Sequence, residues 1–262
     1  MRNMLVWASA GALVVAGSSA LAADRLVAVD SSRALYDIDI ATGAKTQIGT
    51  VSANAGTTGG LAYDRASGIM YLTSTGNDSL YTLDLTTGNA TLIGAYGDPT
   101  VVMHGLEYDN STGKLYGGSN GNLFEINKTT GQATQIGATG LTSFLNLGYN
   151  IDTNVMYATN SGTDSSYVID RATGAATLLG PLGSGSTNPN GLAYNTTNHR
   201  LYMVDNSADN LYTINLTSGA AELVGSTGAG NLLGLAFIPD VPEPASLALA
   251  GIAAAAALMR RR

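Results

Sequence analysis

His104 and His199 are the two histidines of the 262-residue chain, and it contains no cysteine. Acid–base chemistry near neutral pH draws first on imidazole, so these two positions bound the options. His199 falls in a short turn and His104 in a longer connecting segment. No Gly-x-Ser-x-Gly, His-Glu-x-x-His or phosphate-loop spacing accompanies them. Lack of cysteine excludes thiol catalysis and cysteine-type zinc sites. One catalytic route stays open, a hydrolase or lyase whose carboxylates converge from distant segments, and sequence spacing does not reveal it. The expectation is a noncatalytic protein with no cofactor and no bound metal.

Oxygen donors that suit calcium do occur: Asn77 with Asp78, Asn160 with Asp164, and Asp205 with Asn206 and Asp209. Their spacing is not that of a known calcium loop. Asn, Asp, Gly and Ser are also the ordinary residues of tight turns, and the turn reading takes precedence here. Several Asn-x-Ser/Thr triplets, such as Asn127-Lys128-Thr129, belong to the same turn chemistry.

The elements that must position any site are read from a repeat. Gly60-Leu61-Ala62-Tyr63-Asp64 returns as Gly105-Leu106-Glu107-Tyr108-Asp109, Asn146-Leu147-Gly148-Tyr149-Asn150, Gly191-Leu192-Ala193-Tyr194-Asn195 and Gly234-Leu235-Ala236-Phe237. Behind the first four copies come a polar turn and a second apolar piece, as in Met70-Tyr71 or Leu201-Tyr202. A third piece alternates like a strand, as in Leu80-Tyr81-Thr82-Leu83. An Asx four residues before a glycine follows it, as in Asp39 with Gly43 or Asn215 with Gly219. The Asx side chain accepts backbone N–H groups and the glycine takes φ > 0 where a hairpin reverses. A fourth strand ends each unit in pairs such as Ile48-Gly49 and Val224-Gly225.

Four short antiparallel strands at a period of about 44 residues are the signature of a β-propeller. The spacing predicts an all-β, five-bladed propeller of four-stranded antiparallel blades. Leu26-Val27-Ala28-Val29 aligns with a second strand, so Gly234 to Ile238 is expected to supply the missing first strand and close the ring in one composite blade. The alternative is an open ring completed by a second copy of the chain.

In such a ring the turns between strands one and two and between strands three and four share one face, and here they are short and repetitive. The other face carries the variable connections, and variable loops on a rigid scaffold are where binding residues collect. Any ligand is therefore expected near Tyr96, Asp98, His104, Phe144, Asn146, Asn188 and Asn190. Tyr96 is singled out because the other twelve of the thirteen tyrosines fall at equivalent positions of the repeat, where they read as packing residues. The segment Met156-Tyr157-Ala158-Thr159-Asn160-Ser161-Gly162, continuing through Val168-Ile169-Asp170 and Ala172-Thr173-Gly174, resembles the YVTN repeat of bacterial and archaeal surface propellers. That resemblance implies the same fold and an extracellular setting; the family has no shared catalytic residues to carry over.

The ends read differently. Arg2, an apolar run from Met4 to Gly17, and then Ser18, Ser19, Ala20, Leu21 and Ala22 form a secretory signal. Ala20 and Ala22 supply the small side chains that signal peptidase requires, so residues 1–22 are expected to be removed, with cleavage after Ala22 or Ala23. Residues 23–240 form the propeller. Residues 241–262 hold Pro242-Glu243-Pro244, an alanine-rich stretch to Met259, and Arg260, Arg261 and Arg262. As a helix the apolar stretch spans about 22 Å at ~1.5 Å per residue, short of the roughly 30 Å hydrocarbon core. It is a marginal transmembrane helix, with the arginines on the cytoplasmic side. This order of Pro-Glu-Pro, apolar stretch and arginine cluster resembles the PEP-CTERM sorting signal. The resemblance implies a transient encounter with an exosortase-type membrane protease, export, and a place at the cell surface or in an extracellular matrix or biofilm, beside extracellular polysaccharide or a surface protein. A permanent tail anchor is the alternative.

The chain carries 12 Lys and Arg against 19 Asp and Glu, a formal charge of −7. Four of the twelve cations, Arg2 and the terminal arginines, lie in the two ends, so the propeller is more acidic still. Phosphate binding needs clustered Lys and Arg, and that cluster is missing here. Nucleic acid is excluded as a partner, and membrane is expected only through the C-terminal tail.

Overall fold

The computed structural model describes residues 24–239. The expected signal peptide, the Pro-Glu-Pro motif, the tail helix and the arginine cluster lie outside the described residues. Within them the chain forms five four-stranded antiparallel sheets arranged as the blades of a propeller. The second blade contains β4 (Thr58–Asp64), β5 (Ile69–Ser74), β6 (Ser79–Leu83) and β7 (Ala90–Ala95). The third contains β8 (Gly105–Asp109), β9 (Lys114–Ser119), β10 (Asn122–Ile126) and β11 (Ala133–Ala138). The fourth contains β12 (Leu145–Asn150), β13 (Val155–Asn160), β14 (Ser165–Ile169) and β15 (Ala176–Pro181). The fifth contains β16 (Pro189–Asn195), β17 (Arg200–Asp205), β18 (Asn210–Ile214) and β19 (Ala221–Ser226).

The first blade is the composite one. Its β1 (Arg25–Asp30), β2 (Ala34–Ile38) and β3 (Lys45–Thr50) are completed by β20 (Leu232–Ile238), which pairs antiparallel with β1. The strand starts two residues before the expected Gly234, because a register shift between Val29 and Asp30 lets Leu232 pair with Asp30. Strands β4, β8, β12, β16 and β20 are the innermost of each blade, and each packs on the next around the axis, with β20 against β4. The ring therefore closes within one chain.

Local chemistry explains each blade. Asp39, Asp84, Asn127, Asp170 and Asn215 each accept the backbone N–H two residues on, at 2.8–2.9 Å. The glycine that ends this turn has φ of +75° to +82° in all five blades, a region that costs other residues strain. In every outer pair the register shifts by one residue, for example between Leu80 and Tyr81. The extra residue on the outer strand is Ile48, Ile93, Ile136, Leu179 or Val224, and each packs against a core cluster. The bulge turns that side chain inward and twists the free edge, which blunts edge-to-edge pairing.

Blades meet through backbone at the perimeter. A Cβ built on Gly94, Gly137, Gly180 or Gly225 would lie 2.0–2.1 Å from the carbonyl oxygen of Thr130, Thr173, Ser218 or Thr42 in the neighbouring blade. The Gly225–Thr42 contact joins the fifth blade to the first, so ring closure uses the same joint as the second–third, third–fourth and fourth–fifth interfaces.

Candidate functional site

The innermost strands leave a narrow axial channel with two ends. On the variable face, where these strands begin, the channel is lined by His104, Asn146 and the glycines Gly60, Gly105, Gly191 and Gly234, among others. The enclosed space there is about 10 Å³, at the lower limit for a single water. His104 is half-buried and its ring centroid lies 3.8 Å from that of Phe144, tilted by 45°. Burial holds the imidazole below its ordinary pKa, which favours the neutral ring. Phe144 stays 42 % exposed, so its outer face is open to solvent.

Asn146 is 1 % exposed and donates its Nδ2–H to the Pro189 carbonyl at 2.9 Å. Next to Pro189, the Asn190 amide donates to the Asn188 backbone oxygen at 3.0 Å, and the Asn188 backbone N–H donates to Asp205 at 2.8 Å. Two buried atoms at this mouth, His104 Nδ1 and Asn146 Oδ1, have no hydrogen-bond partner. An unpaired buried polar atom costs roughly 1–3 kcal/mol.

Tyr96 and Asp98 stand elsewhere. The Tyr96 side chain is buried against Val101, Met103 and Leu106, and its hydroxyl donates to the Ser79 carbonyl at 2.9 Å. Burial and the nearby Asp78 push its phenol far above the usual range. It is a wedge between the second and third blades and not a surface ligand; the expectation drawn from its irregular place in the sequence is corrected. Asp98 is exposed, and its Oδ1 accepts the Thr100 backbone N–H at 2.8 Å and the Thr100 hydroxyl at 2.7 Å. Those bonds hold the carboxyl below its ordinary range and shape its own loop.

The oxygen-rich turns hold turns together. Asp205 accepts from Ser186 Oγ and the backbone N–H groups of Thr187 and Asn188 through one oxygen, and from Ser207 and Ala208 through the other. Among the described residues no three His, Asp or Glu side chains gather into a set that could hold a metal ion.

The plain-face end of the axis carries charges that the repeat pattern alone does not single out. A cavity of about 20 Å³ there is lined by Arg65, Glu107, Asn110 and the ends of the innermost strands. Glu107 Oε1 accepts the Tyr108 N–H at 2.7 Å and Oε2 accepts the Tyr149 N–H of the next blade at 3.0 Å. Arg65 donates to Thr196 Oγ1 at 3.0 Å and reaches the Tyr194 carbonyl at 3.5 Å. Burial pushes the Glu107 carboxyl up to about 8, against the lowering effect of those N–H groups and of Arg65. At the rim the Tyr194 hydroxyl and His199 Nδ1 both contact Asp152 Oδ2, at 2.6 and 2.7 Å. One signal for this cluster was available: the third position of the repeated motif is Ala62, Gly148, Ala193 or Ala236 in the other blades.

Solved structures share this architecture. A chain of a nidogen/laminin complex superposes with a TM-score of 0.56 at 16 % identity, covering 80 % of this chain and 83 % of that one. A symmetrical protein from a study of de novo evolutionary emergence gives 0.56 at 20 % identity, covering 84 % of this chain and all of that one. An auxiliary nutrient binding protein from Bacteroides thetaiotaomicron gives 0.52 at 15 % identity, covering 82 % of this chain and 61 % of that one. At these identities the likeness is one of fold. No curated protein sequence matches the chain. A PEP-CTERM protein-sorting motif matches residues 240–262, which marks an exported protein that is anchored transiently in the membrane and processed by an exosortase-type enzyme. The model of a repeat of unknown function (DUF6923) matches residues 10–144, just over half of the sequence, and the chain belongs to that family.

Proposed function

We propose that the propeller is a noncatalytic binding or structural component of the cell surface or extracellular matrix, and that it associates with extracellular polysaccharide through the axial mouth of its variable face. The observation that carries this reading is the half-exposed Phe144 ring packed on His104, with Asn146 lining the same opening and bonded to Pro189, which lies between Asn188 and Asn190. An open aromatic face suits the C–H surface of a sugar ring, and amides suit its hydroxyls; a few placed polar groups around an apolar platform are the usual make-up of a small-ligand site. The noncatalytic reading is supported by the lining of the cavity beside His104, which consists of glycines, leucines and Asn146 and includes no acid to pair with the imidazole. The sorting motif supports the extracellular setting.

Co-sedimentation of residues 24–239 with the producing organism's own polysaccharide, with and without calcium, tests the proposal. Saturable binding that is lost in Phe144→Ala supports it. No binding under either condition sinks it and directs the search to protein partners.

A further inference from the structure

The innermost strands share one register. Tyr63, Tyr108, Tyr149, Tyr194 and Phe237 lie opposite Met70, Leu115, Met156, Leu201 and Leu26. In an antiparallel pair, backbone groups point alternately toward the partner strand and away from it. The Tyr108 and Tyr149 N–H groups bind the Glu107 carboxylate and the Tyr194 carbonyl faces Arg65, so this level turns its N–H and C=O groups to the axis. Such buried groups need partners. Glu107 from the third blade serves itself and the fourth; Arg65, from the turn after β4, serves the fifth through Tyr194 and Thr196. Four blades are thus tied at one point by two ionisable side chains, and among the described residues the two form no direct ion pair.

We propose that Glu107 is a proton-operated clasp at the plain-face end of the axial channel: it takes up a proton when the ring is closed, and its ionisation draws Arg65 away from the fifth blade. Charged groups that bear on the pair come from every neighbouring element. Asp109 follows Glu107 on β8, Arg65 follows β4, Asp152 lies in the turn after β12 with Tyr194 and His199 against it, and Asp24 precedes β1. Asp109, Asp152 and Asp24 oppose a second negative charge at the axis or compete for Arg65, and Arg65 alone favours it. Glu107 is partly exposed and lines the cavity at this end of the axis.

The sign follows from linkage. A carboxyl whose folded pKa is raised contributes stability that is fully present below its ordinary range and is lost as pH rises through its folded value, here about 8. The test uses the full chain purified in detergent. Melting temperature is followed from about pH 6 to pH 9 for wild type, Glu107→Ala and Arg65→Gln. Alanine is the residue of three other blades at this position, so the first variant is accommodated. The wild type is expected to lose melting temperature steadily as pH rises toward about 8 and to level off above it, Glu107→Ala to be flat across that range, and Arg65→Gln to carry the decline to a higher pH before it levels off. A purely structural Glu107 shifts the melting temperature equally at every pH, which overturns the proposal. Should the variants fail to fold, the carboxyl carbon resonance of Glu107 in the wild type decides: titration in the ordinary carboxylate range also overturns it.

Discussion

Ring closure makes opposite predictions for two glycines at one repeat position. Gly49 and Gly225 both follow the bulged residue of an outer strand. A Cβ on Gly225 meets the Thr42 carbonyl oxygen at 2.0 Å and its carbon at 2.9 Å, whereas a Cβ on Gly49 meets only Leu35 Cδ1 at 3.9 Å. Real Cβ contacts essentially never fall under 3.0 Å, so Gly225→Ala must push the facing backbones apart by about 1 Å or more at the joint that closes the ring. Overpacking of this kind costs about 1–3 kcal/mol. For a domain of this size each kcal/mol lowers Tm by about 2–4 °C, which gives a fall of roughly 2–12 °C. Gly49→Ala meets ordinary van der Waals contact and restricts the unfolded chain, for a gain of up to about 1 kcal/mol. Thermal melts of residues 24–239 by circular dichroism read both. If Gly49→Ala destabilises as much as Gly225→Ala, or if Gly225→Ala melts like the wild type, the perimeter joint does not hold the ring as described.

Other outcomes follow from the same contacts. Tyr96→Phe removes the hydroxyl that donates to the Ser79 carbonyl and is expected to lower stability by about 1 kcal/mol, while polysaccharide binding in the co-sedimentation assay stays at the wild-type level. Asp109 is fully buried; burial opposes its charge, but Ser111, Thr112 and Arg171 outweigh that and hold the carboxyl below its ordinary range. Its contribution is therefore present above the ordinary carboxylate range and lost as pH falls below it. Melts at about pH 3 and pH 7 should show Asp109→Asn deficient at the higher pH and close to wild type at the lower.

Most of the fold was legible because the repeat writes the same physical demands five times. The Asx-to-glycine turn, the Ile, Leu or Val before the outer glycine, and the missing first strand of the opening blade all point to one closed ring. The site was less legible, for two physical reasons. Tyr96 looked irregular, yet its position belongs to the repeat: Val51, Thr139, Leu182 and Thr227 are its equivalents, all buried, and each donates its backbone N–H to the inner end of the preceding blade's turn. That slot demands burial without demanding a residue type, so no pattern shows. Glu107 failed for the opposite reason. It sits inside a motif that reads as packing, and only three dimensions reveal that the third position of the motif faces the axis, where a charged side chain meets the backbone of the next blade. His104, Phe144 and Asn146 were within reach because they share the face where connections vary, and the ring brings them together around one opening.

The claim that the variable face is the binding face is tested most directly by hydrogen exchange of residues 24–239, read by mass spectrometry with and without the producing organism's polysaccharide. The account predicts slower exchange in peptides spanning 100–106, 142–147 and 187–191, and wild-type rates in the plain-face turns at 64–68, 109–113 and 195–199. Protection confined to those plain-face turns, or none at saturating polysaccharide, contradicts it.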